Sequence, residues 1–342
     1  MKHFRSVSQM IGNGVLCGAL ALLGMSGILS AQPGQTQTPE QTYDQLVAAH
    51  LNWVQVPGAL VRPDCVHEVP NGATVTLGED GQSTGDVTLK GKVIAHYDAC
   101  PEAAIPTRHT ANAPSKPGHA PGPPFNGWVE DSQQNLSLGG GDNIDLEDGY
   151  FYVPNAPSSY TGQTIFLFNG IAPAAQNFII QPVLQYGPSA AGGSNYWAIA
   201  SWAGPLSNGN YLHSPLERVN AGNVLFGFTE QTSPASSLNY FVEAYDTTTG
   251  AYSYLNVSSS GIQWSDAYEG VLEVYNVNAC NQLPSSGYAL FYDSGVDHGY
   301  PSYTRVTPGF TGSVFQSGCS DWVYVNNTYN VAPYYDYTYL FY

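Results

Sequence analysis

From Asn126 to the C-terminus the chain never sustains a helical period. Short runs rich in Val, Ile, Tyr and Phe recur instead between Gly, Pro and Asn: "GYFYVP", "TIFLFNG", "FIIQPVLQYG", "NYWAIASWAG", "NVLFGFTEQT", "LNYFVEAYD", "EGVLEVYNV" and "YALFYDSG". Many strands of this length with turn signals between them predict two antiparallel sheets packed face to face, an all-β sandwich. Neither an internal repeat nor the rhythm of a transmembrane barrel is present.

The stretch upstream reads differently. Lys2 and Arg5 precede an apolar run from Ile11 to Leu29 and then Ser30-Ala31. This is the order of a secretory signal peptide over residues 1–31, with a retained anchor as the alternative. Residues 32–106 form a small N-terminal segment. In it, "TYDQLVAAHLNWV" has the pattern of an amphipathic helix, and "ATVTLGEDG" and "DVTLKGKVIAHY" alternate like hairpin strands. Residues 107–125 are a Pro-rich linker, and residues 126–342 form the sandwich. Removal of the leader leaves Cys65, Cys100, Cys280 and Cys319, an even set that in an exported chain predicts disulfides. Four cysteines allow three connectivities, and the local pairs 65–100 and 280–319 are the expected ones.

Charge narrows the partners. After Asn126 there are only two basic residues, Arg218 and Arg305, against seventeen Asp and Glu. A nucleic acid, whose phosphates require Lys and Arg, is excluded as a partner. Few ion pairs also means few native interactions to lose as carboxylates protonate, which suits acidic surroundings. His213 and His298 are the only histidines after the linker, and neither HExxH nor Gly-x-Ser-x-Gly occurs. No metal or other cofactor is expected.

Two segments carry the chemistry. In "IIQPVLQYG" (Ile179–Gly187), strand alternation puts Gln181, Val183 and Gln185 on one face; in "EGVLE" it puts Glu269, Val271 and Glu273 on one face, with Tyr275 beyond. Residues four apart on a strand stand about 13 Å from each other, whereas neighbours on adjacent strands stand about 5 Å apart. The productive pairing is therefore a Gln from one segment beside a Glu from the other. A carboxylate can activate water and later protonate a leaving amine, and a carboxamide can donate to an oxyanion.

The ordered series resembles the glutamic peptidases, the eqolisin or scytalidoglutamic family. "NGWVEDS" and "GYFYVP" are similar to its opening segments, and "IFLFNG" and "VLQYG" stand where its catalytic-Gln segment stands. "NYWAIASWAG" and "YDTTTGAY" follow in order, and "YEGVLE" matches the segment of its catalytic Glu. The resemblance covers about Asn126–Val277 and implies a concanavalin-like jelly-roll sandwich. It also implies a secreted, acid-acting endopeptidase with Gln185 and Glu273 as the catalytic pair, made as a zymogen. Trp128, Trp202 and Glu269 are candidates for substrate binding. Partners would be protein or peptide substrates, with no membrane association after signal removal, and the chain is expected to be a monomer. Three positions depart from the family pattern: Asn169, the Ala200–Gly204 stretch and Val274.

Two other readings stand beside this one. A β-glucanase-like glycoside hydrolase would use Glu269 and Glu273 together, although Val271 occupies the place of its middle acid. A non-catalytic lectin-like or adhesive sandwich would use the Tyr-rich surface. For the segment before the linker, the expectation is a propeptide held over the groove by its cations, Arg62, Lys90, Lys92, Arg108 and Lys116, and released in acid when carboxylates protonate; a permanent accessory domain locked by a Cys65–Cys100 bridge is the alternative.

Overall fold

The computed structural model describes residues 52–77, 85–107, 122–234, 236–328 and 336–342, all within one compact unit, Tyr43–Tyr342. The signal peptide, most of the expected helix at 42–54 and most of the linker lie outside the described residues. Where that helix would end, Val54 already begins a strand.

Before the linker run β1 (Val54–Val56), β2 (Ala59–Val61), β3 (Val66–Glu68), β4 (Thr74–Thr76), β5 (Asp86–Leu89), β6 (Lys92–His96) and β7 (Ile105–Pro106). After it come β8 (Phe125–Asn135), β9 (Ile144–Tyr152), β10 (Thr164–Pro173), β11 (Ile179–Tyr186), β12 (Trp197–Gly204), β13 (Tyr211–His213), β14 (Glu217–Arg218), β15 (Val224–Gln231), β16 (Asn239–Asp246), β17 (Tyr252–Ser258) and β18 (Trp264–Val277). The chain closes with β19 (Tyr288–His298), β20 (Thr304–Arg305), β21 (Thr311–Val314), β22 (Trp322–Asn326) and β23 (Tyr337–Phe341). Among the described residues the only helical turns are the 3-10 pieces Pro63–Cys65 and Cys280–Gln282, so the class is all-β as expected.

Two large sheets form the sandwich. The first runs β21-β8-β18-β10-β11-β12-β13-β3, and the second runs β22-β23-β19-β9-β15-β16-β17-β4-β5-β6. Leu184, Leu272 and Val274 of the first sheet meet Phe151, Leu225 and Phe291 of the second to form the core. The segment before the linker contributes to both: β3 adds parallel to β13, and β4 adds parallel to β17, with β5 and β6 beyond it. The expected hairpin strands are thus present as β4, β5 and β6.

Burial distinguishes the sheets. On β15, β16 and β17 half-exposed and buried residues alternate, as in a sheet with one wet face. On β10 and β12 every residue is buried, so the first sheet is covered on both sides. Its outer cover is the small sheet β1-β2-β7: Val56, Ala59, Leu60 and Val61 share one apolar cluster with Phe166, Val183 and Trp202. Both expected disulfides, Cys65–Cys100 and Cys280–Cys319, are formed.

Candidate active site beneath the N-terminal hairpin

Gln185, Phe166, Glu273 and Trp128 lie side by side in one register row across β11, β10, β18 and β8. Paired residues in a sheet point to the same face, so the carboxamide and the carboxylate share the outer face of the first sheet. They are not on adjacent strands as expected: β10 runs between them and places Phe166 in the gap. Two strand spacings put their backbones about 10 Å apart.

Glu273 is fully buried, and its carboxylate is enclosed by the hairpin tip. Pro57-Gly58 forms the two-residue turn between β1 and β2, and Gly58 takes φ 87°, the left-handed conformation a Pro-Gly turn demands. Its N–H, unused by the β1–β2 ladder, donates to both oxygens of Glu273 at 2.9 and 2.8 Å. Thr107 Oγ1 donates to Oε1 at 3.1 Å, and Tyr275 Oη donates to the same oxygen at 2.5 Å. Burial raises the Glu273 carboxyl to about 7, opposed by the hydrogen bonds from Tyr275, Gly58 and Thr107. Thr107 is the first residue of the linker and Gly58 lies in the segment before it, so both donors are foreign to the sandwich proper.

Gln185 is held by its own loop. Its Nε2 donates to the carbonyls of Gly187 and Gly192 at 2.7 and 2.8 Å, and Ser189 Oγ donates to its Oε1 at 2.7 Å. Gly193 permits this: a Cβ there would stand 2.5 Å from Gln185 Nε2.

Trp128 and Trp202 both lie on the Glu273 face. Trp128 packs edge-on against Phe168 and Tyr268, and the Trp202 ring stands 4.7 Å from His213. Glu269 does not share that face. Registers shift between Tyr268 and Gly270, so one extra residue occupies the strand and Glu269 turns inward. There it accepts from Ser132, Ser294 and Thr338, the last two on the second sheet. Burial, with Asp336 nearby, raises its carboxyl to about 8. The two acids of "EGVLE" therefore point to opposite sides of the sheet, which removes the paired carboxylates that the glycoside-hydrolase reading required. Asn169 also faces inward, donating to Glu147 at 2.9 Å and to the Gly227 carbonyl.

The expected ionic cover is not found between described residues. Arg62 pairs with Asp64 and Glu102, and His96 pairs with Asp86, all inside the segment. Between described residues no ion pair joins the segment to the sandwich. Arg108 and Lys116 lie outside the described residues. Between described residues the cover is held by apolar packing, by the β3–β13 and β4–β17 ladders and by the hydrogen bonds to Glu273. Among the described residues no group of three or more His, Cys, Asp and Glu could hold a metal ion, and no helix is long and apolar enough to cross a membrane.

No protein-family model matches the chain, and no curated protein does. Among solved structures it is similar to scytalido-glutamic peptidase bound to a peptide-based transition state analogue, at 12% identity and TM-score 0.42, covering 63% of this chain and 98% of that one. It is also similar to SCP-B, a member of the eqolisin family of peptidases, in complex with the tripeptide Ala-Ile-His, at 13% identity and TM-score 0.41, covering 63% and 98%. Both are distant likenesses of architecture, and neither assigns this chain a family or an activity.

Sequence reasoning missed Gly58 and Thr107. Nothing local marks either one, because their role depends on a contact 215 and 166 residues away in sequence. Tyr275 was legible from alternation as a neighbour of Glu273.

Proposed function

We propose that the chain is the precursor of a secreted, acid-acting endopeptidase in which Glu273 and Gln185 act on a peptide bond laid across Phe166. The observation that carries this reading is the clamp on Glu273: a buried carboxylate on the face of Gln185, satisfied by donors from a segment that a single cut in the linker would detach. With the hairpin gone, water takes the place of the Gly58 N–H. Glu273 accepts a proton from that water as it attacks the scissile carbonyl, and then protonates the departing amine. Gln185 turns its amide from the Gly187 and Gly192 carbonyls to the developing oxyanion. Uncovering also lowers the Glu273 carboxyl toward the ordinary range near 4.3, so that it is ionised in mild acid.

The test is to cut the precursor in the linker, separate the segment, and assay denatured protein between pH 3 and 6. Wild type should cleave, while Glu273→Gln should lose at least about a thousandfold and Gln185→Ala roughly a hundredfold or more. Full activity in Glu273→Gln would end the proposal.

A second reading is favoured by a different observation. Tyr337, Tyr292, Tyr150, Phe226, Tyr245 and Tyr252 form one register row across six strands on the outer face of the second sheet. Such an aromatic face, with Tyr252 47% exposed, suits a non-catalytic adhesive or lectin-like sandwich in which the hairpin is permanent. Under this reading the cut, separated protein has no peptidase activity in any variant.

A further inference from the structure

The cover satisfies Glu273, but not every polar atom on that face. Gln181 Oε1 and Trp202 Nε1 are buried, with their residues 1% and 2% exposed, and neither atom has a hydrogen-bond partner. Gln181 and Trp202 are directly paired across β11 and β12, so both side chains rise from one spot on the sheet. Buried polar groups in folded proteins nearly always find partners, and leaving one without a partner is costly. Val56, Ala59 and Leu60 lie in the same cluster as Trp202 and are apolar, so they offer these atoms nothing.

One orphan accepts and the other donates, and both side chains are uncharged. In an extended chain the N–H and C=O of one residue point to the same side, the way strands pair in an antiparallel ladder. We infer that Gln181 and Trp202 form a subsite for the backbone of an extended peptide, with Gln181 Oε1 accepting its N–H and Trp202 Nε1 donating to its C=O. The inference rests on the peptidase reading above and adds a length requirement. Gln181 is four residues from Gln185, about 13 Å along β11, so a substrate reaches the subsite about four residues from the bond that is cut. Because the contacts are to backbone, the subsite is indifferent to side-chain identity.

Peptides lengthened one residue at a time on either side of the scissile bond test this with the cut, separated protein. Wild-type KM should drop roughly tenfold at one length on one side only, the worth of one or two hydrogen bonds, with kcat unchanged. Gln181→Leu and Trp202→Phe should lose that step while matching wild type on shorter peptides. The intact Gln181→Leu precursor should melt no lower than wild type, because it loses an unpaired oxygen rather than a bond. A length step preserved in both variants, or an equal loss on short and long peptides, overturns the subsite and marks the two atoms as water-satisfied. Should wild type hydrolyse nothing, calorimetric titration of long peptides into the same protein decides the subsite separately. Binding that Gln181→Leu abolishes upholds it, and no binding overturns it.

Discussion

The backbone N–H of Gly58 donates to both carboxylate oxygens of Glu273, at 2.9 and 2.8 Å, across 215 residues of sequence. A turn N–H is a weak donor to place over a carboxylate unless something else fixes the turn. Here Tyr275 Oη lies within 3.2 and 3.3 Å of the Val56 and Ala59 carbonyls on either side of the tip, and Thr107 N donates to the Gly58 carbonyl at 3.0 Å. The tip, Tyr275 and Thr107 form one hydrogen-bonded group around one acid.

Thr107→Val removes a hydroxyl from that group while keeping its shape. In protein cut within the linker, the N-terminal segment should then dissociate roughly fivefold to thirtyfold faster, the effect of about 1–2 kcal/mol from one buried hydrogen bond to a carboxyl group. Thr107→Ser should behave as wild type. Dissociation followed by size-exclusion chromatography reads the difference, and equal rates for Val and Thr would mean that Thr107 does not hold the cover.

The pH dependence of the cover has two opposing parts. Glu273 is raised by burial to about 7 when covered, so the covered state binds its proton more tightly. Its contribution to holding the cover is complete below the ordinary carboxylate range and is lost as pH rises through about 7. Acid therefore tightens the hairpin through this residue, against the expectation of acid release. His67 and His213 work the other way. They sit on the paired strands β3 and β13, of which β3 forms the edge of the first sheet, and both are lowered by burial; His67 is bonded to Asn210 with Asp64 nearby, and His213 to the Ser214 carbonyl with Glu68 and His67 nearby. Their contribution is complete above about 6.5 and is lost as pH falls below it. Glu273→Gln should remove the loosening between pH 5 and 7.5, and His67→Gln with His213→Gln should make the segment hold progressively better toward pH 4. Dissociation profiles identical to wild type in either variant would refute that half of the account.

The sandwich was legible because its strands are short, apolar and punctuated, and the doubly buried strands read as near-continuous apolar runs. "TIFLFNG" announces burial on both faces but not what lies over the outer one. The parallel additions of β3 and β4 were not legible, since three residues each carry no signal for a partner. Alternation placed Gln185, Glu273 and Tyr275 on their observed face and failed for Glu269. Gly270 was the available sign: a glycine within a strand marks a bulge, and a bulge reverses the side of every residue on one side of it. The place of β10 between the two functional strands could not be read, because strand order is a property of the whole sheet.

Glu269 gives the sandwich itself a pH dependence. Its carboxyl, raised to about 8, and that of Glu147, raised well above its usual value by burial, sit between the sheets. Raised acids stabilise the folded state below the ordinary carboxylate range and cease to do so as pH climbs through their folded values. The urea midpoint should fall steadily from pH 5 to pH 8.5, and Glu269→Gln should flatten that slope. A midpoint independent of pH over this range would mean that these acids are ionised in the folded protein.

Neither disulfide crosses the linker. Cys65–Cys100 lies within the segment, and Cys280–Cys319 lies within the sandwich. One cut between Thr107 and Gly122 therefore leaves two chains that neither of these disulfides joins, and a denaturing gel without reductant should show both. The first bridge nevertheless helps to hold the cover. It ties the turn preceding β3, which pairs with β13, to Cys100, whose N–H donates to the Asn208 carbonyl at 2.7 Å. Those two attachments to the sandwich lie 35 residues apart in the segment, and the bridge makes them act as one. Replacing Cys65 and Cys100 together by Ser should loosen the segment by about 3–4 kcal/mol in the chain-entropy description, enough for it to leave without any change of pH. Replacing Cys280 and Cys319 together should leave the dissociation rate of the segment unchanged. A single band after the linker cut, or equal dissociation rates for the two double variants, would show that the segment is held by something other than these contacts.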